Sequence, residues 1–277
     1  MVYNSLTEAP RNLKEGIDWL IALRGTDADK NLAAVGKAVH KFLADKPVGF
    51  TEVPALEKVK SISKEFMEKR ELKEQPFVRQ LLRRFNKKRN ENITLLDRWF
   101  ESIAESDYAN VVEARGVTAK TIGEKLSKAV DGCEKFRENV KIPDQYKSTY
   151  SSEATWEASC AKDPEACAVV LVGVAPMLYT GLRSLKVASE AETRGGLPMA
   201  LGTSSLGSVL IAVGYEEPQW RVEMTASYIF KALKGVSHQV LTTLYDLSGF
   251  WGFYGLEKAG TAKAVATRSN SSAKGEK

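Results

Sequence analysis

The side chains best able to do covalent or acid–base work are few in this sequence. Two histidines, His40 and His238, and three cysteines, Cys133, Cys160 and Cys167, are all that 277 residues supply. A hydrolase triad needs serine or cysteine within reach of histidine, and neither histidine lies in a nucleophile-turn context. His40 falls beside Val39 on an apolar helical pattern, the ordinary place of a core-edge histidine. Carboxylate neighbours such as Asp27 with Asp29, or Glu190 with Glu192, read as polar helix surface with nothing nearby to raise a pKa. Rossmann, phosphate-loop, zinc-protease and EF-hand patterns are absent. The run GTSSLGS at 202–208 has glycines near a helix start but neither the phosphate-loop lysine nor a preceding strand. No residue is therefore assigned to catalysis, to a cofactor or to a metal, and the chain reads as a non-enzymatic interaction protein.

Three groups of residues carry what chemistry remains. Cys160 and Cys167 flank the turn at Asp163-Pro164, a spacing that fits a disulfide clamping two helices and equally two free thiols in a reducing compartment. No third soft ligand accompanies them for a metal. Arg79, Arg83, Arg84, Lys87, Lys88 and Arg89 surround Phe77, Leu81, Leu82 and Phe85 on an amphipathic helix beginning near Pro76. Residues 57–98 carry thirteen Lys and Arg against seven Asp and Glu, an excess larger than the net charge of +5 for the whole chain. Such a face serves an anionic partner (RNA, anionic lipid or an acidic protein) or, more ordinarily, is simply solvated. Phe250, Trp251, Phe253 and Tyr254 lie among Gly249, Gly252 and Gly255. Aromatics so placed form either an exposed interface or, more commonly, core at a helix crossing.

The elements that position these groups are helices. Asn12 caps a helix from Leu13 to Arg24, with Glu15 reaching back to the cap amide and Gly25 as a left-handed stop. Its stripe is Leu13, Ile17, Leu20 and Ile21, with Trp19 on the flank. Thr26 or Asp27 caps a second helix bearing Leu32, Val35, Val39, Phe42 and Leu43, expected antiparallel to the first. Pro54 opens a third, bearing Leu56, Val59, Ile62 and Phe66. The helix from Pro76, or its successor after Asn90, continues to Ile103. Thr118 caps the longest regular stripe: Ile122, Leu126, Val130, Cys133, Phe136 and Val140. Beyond a polar crossing at 141–153, Ser152 caps a short helix with Trp156, and Asp163-Pro164 starts a long buried helix with Pro176 inside it. Short helices follow from Leu206 and Pro218. Ser237 caps the last, which runs on into the aromatic cluster. Strand-type alternation is missing, so the expectation is an all-α, irregular multi-helix bundle, about 65–75% helical. Its organisation reads as an arm (1–11), a helical half (12–143), a second helical half (144–258) and a disordered alanine-, serine- and lysine-rich tail (259–277).

A hydrophobic fraction of 43% is enough for a real core, and a net charge of +5 is far from that of a nucleic-acid coat. Residues 1–12 lack the basic start and apolar core of a cleaved signal. The uncharged run 166–182 sits at the low edge of the roughly 17–25 residues a membrane span needs. With Gly173, Pro176 and Gly181 inside it, the run reads as a buried core helix, and 195–215 as a loop leading into a short helix.

SLTEAPRNLKEGIDWLIALRG at 5–25 resembles the opening of the variant erythrocyte surface antigen family of piroplasm parasites, in which Ser-Leu-Thr-Glu, a proline and a Leu-Lys-Glu-x-Ile-Asp-Trp helix follow one another. ATWEASCAKDPEACAVVLVGVAPMLYTGL at 154–182 and LYDLSGFWGFYG at 244–255 have the look of further family segments. The resemblance implies antigenic variation and adhesion of infected red cells, with no catalytic residues. It implies a protein partner, either an anchored family member or a host-cell surface component, and a place at the infected erythrocyte surface or in an associated complex. Long family members carry a cysteine- and lysine-rich region and a C-terminal membrane span. This chain resembles a short member or a fragment.

Overall fold

The structure, a computed structural model, describes residues 2–86, 104–195, 204–216 and 225–255. Among these residues 69% are helical and no strand occurs, so the chain is all-α. The helices are α1 (Leu13–Arg24), α2 (Ala28–Ala44), α3 (Pro54–Met67), α4 (Arg70–Lys73), α5 (Pro76–Asn86), α6 (Val111–Ala114), α7 (Ala119–Val140), α8 (Trp156–Ser159), α9 (Pro164–Thr193), α10 (Leu206–Ala212), α11 (Ala226–Ala232), α12 (His238–Leu247) and α13 (Phe250–Phe253). The tail expected at 259–277, the helix continuation to Ile103, and the helix start expected at Pro218 lie outside the described residues.

Capping chemistry starts most of these helices where the sequence places it. Asn12 Oδ1 accepts the Glu15 amide at 2.9 Å, Thr118 and Thr121 form a reciprocal capping pair, and Asp163 accepts from the amide of Ala166 ahead of Pro164. Glu15 departs from the expected box: its carboxylate takes the amide of Arg11, one residue before the cap, at 2.8 Å. Thr155, rather than Ser152, caps the helix bearing Trp156. Gly249 takes φ 66°, a left-handed conformation that separates α12 from α13, so the aromatic cluster begins a new helix instead of extending the last.

The axis of the bundle is α9. All residues from Cys167 to Leu182 are buried, on every face, and α1, α2, α3, α10, α11 and α12 pack around it. It is long and apolar enough to cross a membrane, with a mean hydropathy of 1.7 over its best window, and 89% of that window is buried inside the protein. A helix hydrophobic all round needs such a sheath, and the neighbouring helices supply it.

Trp19, expected on the flank of α1, is fully buried, whereas Ile21 is only half-buried. Trp19 Nε1 donates to the carbonyl of Leu6 at 2.8 Å, and burial extends round α1 to Lys14, Gly16 and Asp18, well beyond the expected stripe. The main neighbours of α2 are α7 and α9, with α1 a lesser one. Gly36 and Gly123 let α2 and α7 touch backbone to backbone: a Cβ on Gly36 would lie 2.5 Å from the carbonyl of Ala119. The crossing at 141–153 does not divide the interior, since residues from both sides of it enter one continuous apolar cluster.

Candidate functional site

Of the six basic residues proposed as a patch, three are described, and they do not act together. Arg79 and Arg83, one turn apart on α5, are exposed. Arg84 turns inward and grips Asp107 with two bonds, Nε to Oδ1 and Nη2 to Oδ2, each 2.7 Å. Asp107 also accepts Tyr245 Oη at 2.6 Å and the amide of Ala104 at 2.8 Å. Burial alone would lower the pKa of Arg84, but its hydrogen bonds to Asp107 and the surrounding phenol and carboxylate groups raise it, so the cation is held in its charged form. Arg84 is therefore a clasp between α5, the turn at Glu105–Asp107 and α12, and does not belong to an open anionic-partner face. Lys87, Lys88 and Arg89 lie outside the described residues.

The aromatic cluster is core. Phe250, Trp251, Phe253 and Tyr254 are all 4% exposed or less, which removes them as an exposed interface. Phe253 stacks on Phe42 at 5.4 Å, Tyr254 meets Phe85 edge-on at 4.7 Å, and Phe250 meets Tyr245 at 4.9 Å. Lys60 fastens the cluster from below: its ammonium bonds Glu57 at 2.7 Å and the carbonyl of Phe253, and lies 4.7 Å over the Tyr254 ring. Burial lowers the pKa of Lys60, and Glu57 opposes that shift.

Cys160 and Cys167 are bonded, with Cα atoms 5.9 Å apart, and both are buried where α8 turns into α9. Cys133 is the free thiol, fully buried, and burial pushes its pKa up to about 12, where it has negligible thiolate character.

A fourth centre was not anticipated from the sequence. Asp18, on α1, is 1% exposed. Its carboxylate accepts Tyr146 Oη at 2.7 Å, the amide and hydroxyl of Thr149 at 3.0 and 3.1 Å, and Lys14 Nζ at 3.2 Å, with Arg137 of α7 at 3.9 Å. Lys14 donates also to the carbonyl of Lys147 at 2.9 Å. The signal for this hub was the Lys14/Asp18 pair, one turn apart beside the apolar stripe of α1. Its partners at 146–149 sit in what looked like plain polar linker.

Each of these centres joins separate elements of the bundle. A cavity of about 20 Å³ between α2, α6, α7 and α12, lined by Leu43, Val111, Ile122, Lys125, Thr243 and Asp246, has room for about one water. Among the described residues no three His, Cys, Asp or Glu side chains converge as metal ligands. The described residues form an all-α scaffold, and these polar centres tie its helices and turns together. No family model, no curated protein and no solved structure matches the chain.

Proposed function

We propose that this chain is a non-enzymatic helical interaction protein of the variant erythrocyte surface antigen type, a short member or a fragment. It works through exposed helix faces on a protein partner, in antigenic variation and adhesion of infected red cells. The observation that carries this reading is the convergence of the three segments that resemble the family. Gly16 of α1 lies against Met177 and Leu178 of α9, and Gly181 of α9 lies against Leu13. The amide of Leu6 donates to Ser159 Oγ at 3.0 Å, and the Tyr179 and Tyr245 rings are 5.3 Å apart. Segments distant in sequence thus form one buried frame, which is where a shared fold would keep its likeness while the exposed faces differ between copies.

One further feature supports it. The disulfide at the start of α9 is chemistry of an oxidising environment, such as a cell surface or the route to one. The alternative, an intracellular basic module for RNA, anionic lipid or an acidic protein, has Arg79 and Arg83 on its side but not Arg84. Among the described residues, the one helix long and apolar enough to cross a membrane has 89% of its most apolar window buried inside the protein.

Protease shaving of intact infected erythrocytes, followed by detection with antibody to this chain, tests the reading. Loss of signal together with a known surface marker is expected. Full protection of the chain while the marker is removed would sink the surface role.

A further inference from the structure

Residues 2–11 form no helix, yet they are seated in the body of the protein as a peptide is seated in a receptor. Tyr3 makes a single parallel bridge with Tyr150: its amide donates to the carbonyl of Thr149 at 2.7 Å, and its carbonyl accepts from Ser151 at 2.9 Å. The two tyrosine rings stack at 4.8 Å, and Tyr3 Oη donates to Glu15 at 3.0 Å. Three residues on, Leu6 is fully buried, its amide on Ser159 Oγ and its carbonyl on the Trp19 indole. Tyr150 Oη closes over the carbonyl of Glu8 at 2.6 Å. Main-chain bonds fix the register and two side-chain sites, for an aromatic and an aliphatic residue three positions apart, read the sequence. This is the logic of peptide capture beside an exposed strand edge.

The walls of this socket hold one another without the arm. The Asp18 hub ties 146–149 to α1, Lys14 bonds the carbonyl of Lys147, and the disulfide ties α8 to α9, against which α1 is packed. None of those links uses residues 2–11. A site whose walls are fixed beforehand loses little order when a ligand enters, so the contacts made by the arm are available to an equivalent arm from elsewhere.

We propose that the socket bounded by Glu15, Trp19, Thr149, Tyr150 and Ser159 is a peptide-binding site for a Tyr-x-x-Leu segment. In a single molecule its own arm fills it; when that arm is unseated, the arm of a second copy takes its place. The tethered arm wins at ordinary dilution because its effective concentration is on the order of millimolar. Exchange between copies reuses every contact and needs no new surface.

The test uses the full chain carrying Leu6→Asp, whose arm cannot enter the apolar site, and a fluorescent peptide of residues 2–11. Saturable binding is expected, at least about tenfold tighter than to the wild-type chain with its arm seated, and at least about tenfold tighter than for a Leu6→Asp peptide. Absence of saturable binding, or binding indifferent to Tyr3 and Leu6 of the peptide, overturns the proposal. Circular dichroism and thermal melting check the fold, and a second chain with Tyr3→Ala and Leu6→Ala unseats the arm more gently. If both chains lose their cooperative transition, the socket does not exist apart from its arm and the proposal fails.

Discussion

Asp107 accepts four hydrogen bonds from Arg84, Tyr245 and the amide of Ala104, so its removal leaves a largely desolvated guanidinium without its carboxylate, facing only the Gln80 carbonyl and the Phe250 ring. Asp107→Ala should cost about 3–5 kcal/mol in urea denaturation, because a stranded buried charge is penalised far more than an intact pair stabilises. Replacing the pair together, Arg84→Met with Asp107→Leu, should recover most of that loss; a double variant no more stable than the single would show that the clasp itself is worth its desolvation. Trp19→Ala should lower stability by roughly 3–5 kcal/mol, since the ring is fully buried and its N–H is bonded to Leu6. An unchanged thermal midpoint would contradict that burial. Both side chains were visible in the sequence, but their roles were not. Trp19 adjoined the apolar stripe and turned out to be inside it, while Arg84 looked like one cation among six until Asp107, on a different element, claimed it. Helical periodicity tells which face a residue occupies to within a turn, and it is silent about long-range partners.

At the scale of elements, the close crossing of α2 and α7 depends on Gly36, whose added Cβ would meet backbone atoms at 2.5 and 2.8 Å. Backbone cannot yield as a side-chain tip can, so Gly36→Ala should cost about 1–3 kcal/mol. Gly207 in α10 is exposed and a Cβ there meets nothing within 4 Å, so Gly207→Ala should instead stabilise by about 0.5–1 kcal/mol through helix propensity alone. Thermal melts of the two variants should move in opposite directions, and equal shifts would refute the assigned packing. Helix starts were largely legible because a cap is local: Asn12, Thr118, Asp163 and Ser237 each satisfy an amide two or three residues on. Helix pairing was not. The expected partner of α2 was its neighbour in the chain, but the choice of α7 rests on two glycines whose meeting no local pattern reveals. The break at Gly249 is hidden for the opposite reason: the apolar pattern runs straight across a glycine whose positive φ only the fold requires.

For the molecule as a whole, buried phenols set the response to alkali. Burial raises the pKa values of Tyr146, Tyr150, Tyr215, Tyr245 and Tyr254 above the ordinary tyrosine value, and burial with Glu15 brings Tyr3 up to about 12. Below about pH 10 both folded and unfolded chains keep these protons, and the native state has its full stability. Above it the unfolded chain releases them and the folded chain does not, so stability falls as pH climbs through the folded values. Denaturation midpoints should drop between about pH 9.5 and 12, with tyrosinate absorbance rising in step with loss of helix; a phenol signal that titrates fully while helix content stays constant would contradict this. The all-α class followed from the apolar spacing because every long run in the chain repeats at helical intervals. The hub at Asp18 did not follow, since half of it lies in residues that carry no pattern at all. The sheathing of α9 also bears on how the chain is made. Synthesis at roughly 5–20 residues per second leaves several seconds between the emergence of Thr193 and that of Leu247. During that interval α9 has left the ribosome while α11 and α12, which later cover it, are unfinished. At that stage only α1, α2 and α3, made before it, are there to cover α9, so its early burial depends on those three helices.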